Sequence, residues 1–442
     1  MTARFRRRTL LRSGLTTGLA AAVASGTAPL FIPARAFGAN ERIVIGGIGV
    51  GNQGSGLVRS FAKRASVAAI SDVFLPRAEK VAGEVGAGSV HQDYRALLER
   101  KDIDAVIVAT PHHWHALCCI HAAQAGKDIY CEKPLAYSIA EGRKIVEAVR
   151  THRRVLQTGM QQRSGSKEQA GCRLVRAGGL GKISRVIASN YASPMEPDFP
   201  EQPVPAGLDW DRWCGPADLL PFNTVVWDNR SDPSWVSLRP FSGGAMTDWG
   251  AHGLDMAQWG LGMDDSGPEE VWVEGAAFQP QVSTPEKPGG RQKGPSTPKV
   301  CMRYPGDILL ELAGGPQFGV TFVGDKGRLT LQRGGFKADP ADLTVDPAAA
   351  EAVDLIRSTD HHQNWLDCIK SRQDPVANVE VGQRSTSLGH LANIARWVSG
   401  LTGETGKRLR WDAAAERFTN SDEANRFLSR PSRAGYTLPD NL

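Results

Sequence analysis

Residues able to do chemistry cluster in two places. The first is Glu132-Lys133-Pro134, directly after the apolar run Asp128-Ile129-Tyr130-Cys131. That run predicts a buried strand over 128–131. A Glu-Lys pair at its end sits where open α/β sheets bind ligands, outside the carboxyl ends of the strands. The second is Asp248 and His252, on a predicted helix that opens after Gly243-Gly244 and runs to about Gly260. Residues four apart share a helical face, so carboxylate and imidazole can address one hydroxyl, the imidazole moving its proton and the carboxylate orienting it. A helix cap followed by a buried histidine has the same spacing, and on spacing alone that account is the stronger.

Thr110-Pro111-His112-His113-Trp114-His115 places three histidines within four positions. Zinc sites need a fuller set of ligands, and no carboxylate or cysteine completes one locally, so no metal is expected. The segment reads instead as a helix start near His115 and a loop against a bound cofactor.

The elements that must carry these side chains are legible upstream. An apolar strand over 42–48 runs into Gly49-Val50-Gly51-Asn52-Gln53-Gly54, a G-x-G-x-x-G turn. Its glycines let backbone N–H groups approach a pyrophosphate at the N-terminus of the helix predicted from Gly54 to Lys63. A second strand over 66–71 ends in Asp72, eighteen residues after Gly54. An acid there would hydrogen-bond the ribose hydroxyls of NAD and repel the 2′-phosphate of NADP; nearby Arg77 keeps NADP open. Strands at 104–109 and 155–158 and helices at 76–85, 114–124 and 138–151 complete an alternating pattern. Ser138 and Glu141 form a capping box for the last helix.

Beyond residue 160 the character changes. A helix is predicted over 166–177 and a strand over 183–191. A long irregular stretch, 194–243, follows, with Trp210, Trp213, Trp227 and Trp235. These indoles can stack on sugar C–H faces or anchor loops on a core; Trp213 is taken as a substrate contact. Gln161, Gln162 and Arg163, at the end of the strand over 155–158, are candidate polar contacts to a hydroxylated ligand. Strands at 300–304, 308–312, 318–323 and 328–332, with a hairpin at Gly324-Asp325-Lys326-Gly327, predict an antiparallel sheet. Residues 279–298 read as a flexible insertion, and 360–371 and 382–399 as helices.

The 442 residues carry a net charge of +5, and six arginines in positions 1–36, with no acid among them, account for more than all of it. The body is therefore near neutral, without the basic footprint of a nucleic-acid binder. Arg7-Arg8-Thr9-Leu10-Leu11-Arg12, a mildly apolar stretch and Ala34-Arg35-Ala36 have the form of a twin-arginine export signal with its cleavage site. Residues 1–36 are thus expected to be a leader read by the twin-arginine export machinery. The mature protein is expected to be periplasmic, or otherwise extracytoplasmic, without a membrane anchor. The seven cysteines follow no bridge or ligand spacing and read as small core residues.

Four features coincide: the glycine turn with Asp72, Thr110-Pro111 with His115, Glu132-Lys133-Pro134, and Asp248 with His252. Together they resemble the Gfo/Idh/MocA oxidoreductase family, over about residues 42–411. The resemblance implies a Rossmann dinucleotide-binding domain, placed at 41–160, and a substrate-binding α/β domain with an open, mainly antiparallel sheet, placed at 161–442. It implies NAD, or NADP, and hydride transfer at a secondary alcohol of a sugar or polyol. Gly49, Gly51, Asn52, Gln53, Gly54, Asp72, Thr110, Pro111, His115, Glu132 and Lys133 would hold the cofactor. Lys133, Asp248 and His252 would be the catalytic set, with His252 as acid/base, Asp248 orienting it and Lys133 hydrogen-bonding the reacting oxygen, although some members of the family give the base role to the lysine; a homo-oligomer is implied. Export with the cofactor already bound requires a tightly held nucleotide restored within each cycle. A redox-assisted glycoside hydrolase or lyase working through C3 oxidation, and a non-catalytic binding protein, are the competing readings.

Overall fold

A computed structural model describes residues 42–228, 233–289 and 297–442. Residues 1–36, expected to be an export leader, lie outside the described residues, as do positions 290–296 of the expected insertion. Six short runs make the first sheet: β1 (Val44–Ile48), β2 (Ser66–Ser71), β3 (Ser89–His91), β4 (Ala105–Val108), β5 (Asp128–Cys131) and β6 (Leu156–Thr158). Their order is β3-β2-β1-β4-β5-β6, with every neighbouring pair parallel. β4 and β5 are buried along their whole length. Helices on both faces bury such strands, which is why they read as unbroken apolar runs rather than alternating ones.

Register decides where the chemistry falls. Ile48 pairs with Ser71 and with Val108, Val108 with Cys131, and Cys131 with Thr158. The five strands therefore end level, and Gly49, Asp72, Ala109 and Glu132 step off along one edge. The order reverses between β1 and β4, the switch point at which doubly wound sheets take their ligands.

The second sheet has nine strands, in the order Gly335–Asp339, Gly327–Gln332, Val320–Gly324, Ile183–Ser189, Ile308–Ala313, Lys299–Tyr304, Glu270–Glu274, Leu409–Asp412, Arg417–Phe418. Only Ile183–Ser189 and Ile308–Ala313 run parallel; the other pairs are antiparallel. Side chains of helices Ser166–Arg176, Gly250–Leu261 and Val379–Thr402 share its apolar core, through Val175, Met256 and Leu391 among others. Gly250–Leu261 is buried on nearly every side, which fixes the rotation of His252. Gly324 pairs with Gly327, so the hairpin turn is the two residues Asp325-Lys326.

Late chain also serves the first sheet. Helix His361–Ser371 sends Trp365, Leu366 and Ile369 into the core that holds Phe61, Ile107 and Tyr130. Ser138 caps helix Ile139–Thr151 by accepting from Glu141 N at 3.3 Å. Glu141 does not reach back to complete the box; its carboxylate meets Arg430 at 3.1 Å instead. The described cysteines are all free and buried, and no described helix is long and apolar enough to cross a membrane.

Candidate active site

A cavity of about 650 Å³ opens along the level ends of the parallel strands. One end is a phosphate cradle. Gly49 has φ +77°, and a Cβ there would lie 2.8 Å from Thr110 N. Helix Asn52–Ala62 starts at Gly51 with no side-chain cap and no acid in its first turn, leaving its terminal N–H groups for an anion. A Cβ on Gly51 would meet nothing within 4 Å, whereas one on Gly54 would sit 2.0 Å from the carbonyl oxygen of Gly49. The turn is therefore closed on its inner side and open on the side where a pyrophosphate would lie, and the donor set fits a dinucleotide. Gly54→Ala should force the turn to shift, an overpacking cost of about 1–3 kcal/mol, and weaken NAD binding about tenfold or more by calorimetric titration.

Asp72 has a second job beyond the one expected. Its carboxylate accepts from Val50 N at 2.8 Å, Phe74 N at 2.9 Å, and Arg77 Nη2 and Nε at 2.8 and 3.1 Å. Four donors use the acceptor sites a carboxylate offers, so a ribose hydroxyl must share Asp72 with Arg77. Thr110 and Pro111 line the cavity. His115 lines it too, but its Nδ1 lies 2.8 Å from Pro134 O and its Nε2 2.9 Å from Thr110 O. It ties the β4 turn to the β5 turn.

At the other end Lys133 and His252 border the same cavity. Lys133 Nζ donates to the Asp248 carboxylate and, at 3.3 Å, to the Asp248 carbonyl. The lysine side chain is 16% exposed and the aspartate 11%, so water screens the pair little. The expectation that Asp248 orients His252 fails. Asp248 is turned to the lysine, and His252 Nδ1 is sealed from solvent without a partner. Burial drives the His252 pKa well below its ordinary value; Lys133 and Arg333 add to this and Asp248 opposes it. The imidazole is neutral at pH 7.

Glu132 faces the cavity without pairing with the Lys133 ammonium. It accepts from Gln161 Nε2 at 3.0 Å, Gln53 Nε2 at 3.2 Å and Lys133 N at 3.2 Å. Burial raises its pKa, against the pull of Lys133 and these donors. His112, not singled out as a site residue, belongs here as well. Its Nδ1 meets Ser242 Oγ at 3.0 Å and its Nε2 lies 4.0 Å from Asp248 Oδ1. Its only trace in the sequence is the histidine run itself. Among the described residues no cluster has the makings of a metal site.

Two expected substrate contacts fare differently. Gln162 lines the cavity and donates to Phe318 O at 3.0 Å, holding the ring that meets His252 edge-on at 5.7 Å. Arg163 does not reach it. It is 1% exposed, with Nε on Asp255 at 2.8 Å and Nη2 on Asp264 at 2.7 Å. Once buried, a guanidinium must find carboxylates, and these supply them. Arg163→Ala should strand Asp255 and cost about 3–5 kcal/mol of stability in urea melts. Trp213 lines the cavity, though its ring is stacked on Trp210 at 4.6 Å.

Comparison with known proteins agrees with this architecture. Residues 42–160 match an oxidoreductase family with an NAD-binding Rossmann fold, and residues 194–438 match the C-terminal α/β domain of that family. The chain is 30% identical over 224 residues to inositol 2-dehydrogenase 4 of Saccharopolyspora erythraea, covering 47% of this chain and 66% of that one. It is 34% identical over 160 residues to glycosyl hydrolase family 109 protein 2 of Shewanella sp., covering 31% and 35%. These matches span less than two thirds of either relative. The WlbA dehydrogenase of Bordetella pertussis, solved with NADH and UDP-GlcNAcA, superposes with a TM-score of 0.58 at 18% identity, covering 84% of this chain and 99% of that one. With both its halves matched, this chain belongs to the Gfo/Idh/MocA oxidoreductase family and carries that family's NAD-binding Rossmann domain.

Proposed function

We propose that the protein is an NAD-dependent dehydrogenase acting on a secondary alcohol of a sugar or polyol, with the nucleotide tightly held. One observation carries this reading: a neutral imidazole and an ammonium–carboxylate pair border the cavity that continues from the phosphate cradle. Bound NAD supplies the hydride acceptor. Gly49, Gly51, Asn52, Gln53 and Gly54 would cradle its phosphates, Asp72 with Arg77 its ribose, and Glu132 and Lys133 would border its reactive end. With Nδ1 sealed, Nε2 is the ring nitrogen of His252 able to meet a substrate, and it takes the hydroxyl proton. Lys133 Nζ donates to the same oxygen as negative charge builds on it. Asp248 holds that ammonium in place. Arg77 is already committed to Asp72, which favours NAD over NADP.

The proposal includes export by the twin-arginine machinery, supported by the leader's arginine motif, and a homo-oligomer, supported by the family's habit of packing the open sheet. Identifying the nucleotide released from purified protein, then adding cyclitols and sugars while recording reduced-nicotinamide absorbance, tests the central reading. An absorbance rise with at least one polyol is expected. No nucleotide and no rise with any would leave a non-catalytic binding protein. A redox-neutral glycosidase is the second reading, favoured by the glycosyl hydrolase match and by Trp235, which lines the cavity edge-on to His112 at 4.9 Å. Aglycone release from aryl glycosides without added acceptor would select it.

A further inference from the structure

Residues 207–228, from the chain's second half, are fastened across the β2 end of the cavity. Leu75 N donates to Gly207 O at 3.1 Å and Asp209 N to Val73 O at 3.0 Å, flanking an antiparallel bridge between Phe74 and Leu208. Gln92 Nε2 ties both sides, at 3.0 Å from Val73 O and 3.4 Å from Gly207 O. The Trp227 ring meets Phe74 edge-on at 5.2 Å, and the Arg77 guanidinium lies 5.6 Å from Phe74 and 5.7 Å from Trp227. On the far side His113 Nε2 and Trp114 Nε1 both lie 3.0 Å from Trp213 O.

This is no loose loop. Leu208, Trp210, Trp213, Phe222 and Val226 form an apolar core of their own, with Val73 and Phe74 packed against it. Asp72, Arg77 and Gln92 thus form one wall of the cavity, and Arg212, Trp213 and Trp227 another. In a Rossmann fold the acid ending β2 marks where the adenosine ribose lies. The covered end is therefore the adenosine end.

We infer that residues 207–228 are an adenosine clamp, with Arg77 and Trp227 enclosing the adenine nucleoside and Phe74 backing the Trp227 ring, so that NAD stays bound between turnovers. The inference rests on the dehydrogenase reading for its ligand and adds what that reading lacks, the segment that prevents exchange. It also fixes the class of co-substrate. Bound NAD would accept the hydride that leaves the carbinol carbon, and His252 would take the hydroxyl proton. With exchange blocked, a second molecule with a ketone or aldehyde group must take the hydride back at its carbonyl carbon, and the proton at its oxygen.

Protein loaded with radiolabelled NAD and passed into excess unlabelled NAD tests the clamp. Label should leave the wild type more slowly than substrate turns over. Trp227→Ala and Gln92→Ala should each speed its loss about tenfold or more, which corresponds to about 1.4 kcal/mol. Trp227→Leu replaces Trp227→Ala if the latter melts below assay temperature. Label lost faster than turnover in the wild type, or at the wild-type rate in folded variants, would overturn the clamp. Rapid exchange alongside polyol-driven nicotinamide reduction sinks the clamp and the tight hold on the nucleotide but leaves the dehydrogenase chemistry standing; retained label with no reduction by any polyol sinks the dehydrogenase chemistry and leaves the clamp.

Discussion

Lys133→Met should lower kcat about 10²–10³-fold, the scale set by losing one preorganised donor to a developing oxyanion. Lys133 Nζ bonds only to Asp248 among the described residues, which leaves it a donor for a substrate oxygen. The substitution also strands the Asp248 carboxylate, because its other titratable neighbour, His112 at 4.0 Å, is held in the neutral form by burial. Breaking a buried pair costs about 3–5 kcal/mol, so the melting temperature should fall as well. Adding Asp248→Asn separates the effects. It removes the stranded charge and should restore much of the melting temperature while leaving turnover low. A double variant that recovers both would show that Lys133 holds the fold rather than the reacting oxygen.

His252→Asn should lower kcat by about 10²–10⁴, the range for losing a general base. Its pH behaviour is distinctive. Burial first, then the Lys133 and Arg333 charges, hold the imidazole pKa well below the ordinary histidine value. Wild-type kcat/KM should therefore stay flat as the pH drops through 6.5 and fall only further into acid; the variant loses that acid limb. Stability follows the same sign. The folded pKa lies below the unfolded value of about 6.5, so the contribution is complete above that pH and lost as the pH falls toward the folded value, by at most about 1.4 kcal/mol per unit. Urea melts between pH 7 and 5 should show the variant losing less stability than the wild type.

The parallel sheet was legible because its strands are buried on both faces. The runs at Ser66–Ser71 and Asp128–Cys131 stand out as the elements they are. Ser89–His91 and helix Tyr94–Leu98 were missed because three and five residues are too few for a period to show. Glu270–Glu274 and Gly335–Asp339 escaped for a related reason; their partners, not their own patterns, make them strands.

The places of Gly49, Lys133 and His252 on the cavity wall were legible because each sits in a local motif. The pairing of Asp248 with Lys133 was not, since the two are 115 positions apart and the i, i+4 spacing pointed to His252. Arg163 was misread for the same kind of reason. An arginine at a strand end resembles a ligand contact until Asp255 and Asp264, 92 and 101 positions on, are brought to it.

The most direct measurement mixes nucleotide-loaded protein with polyols carrying deuterium at the carbinol carbon and follows reduced-nicotinamide absorbance within one turnover. A fast rise in wild type, slowed by deuterium and nearly lost in Lys133→Met, is the predicted result. An equal rise in Lys133→Met, or a rise insensitive to deuterium under conditions where hydride transfer limits the rate, would contradict the placement of the chemistry between Lys133 and His252.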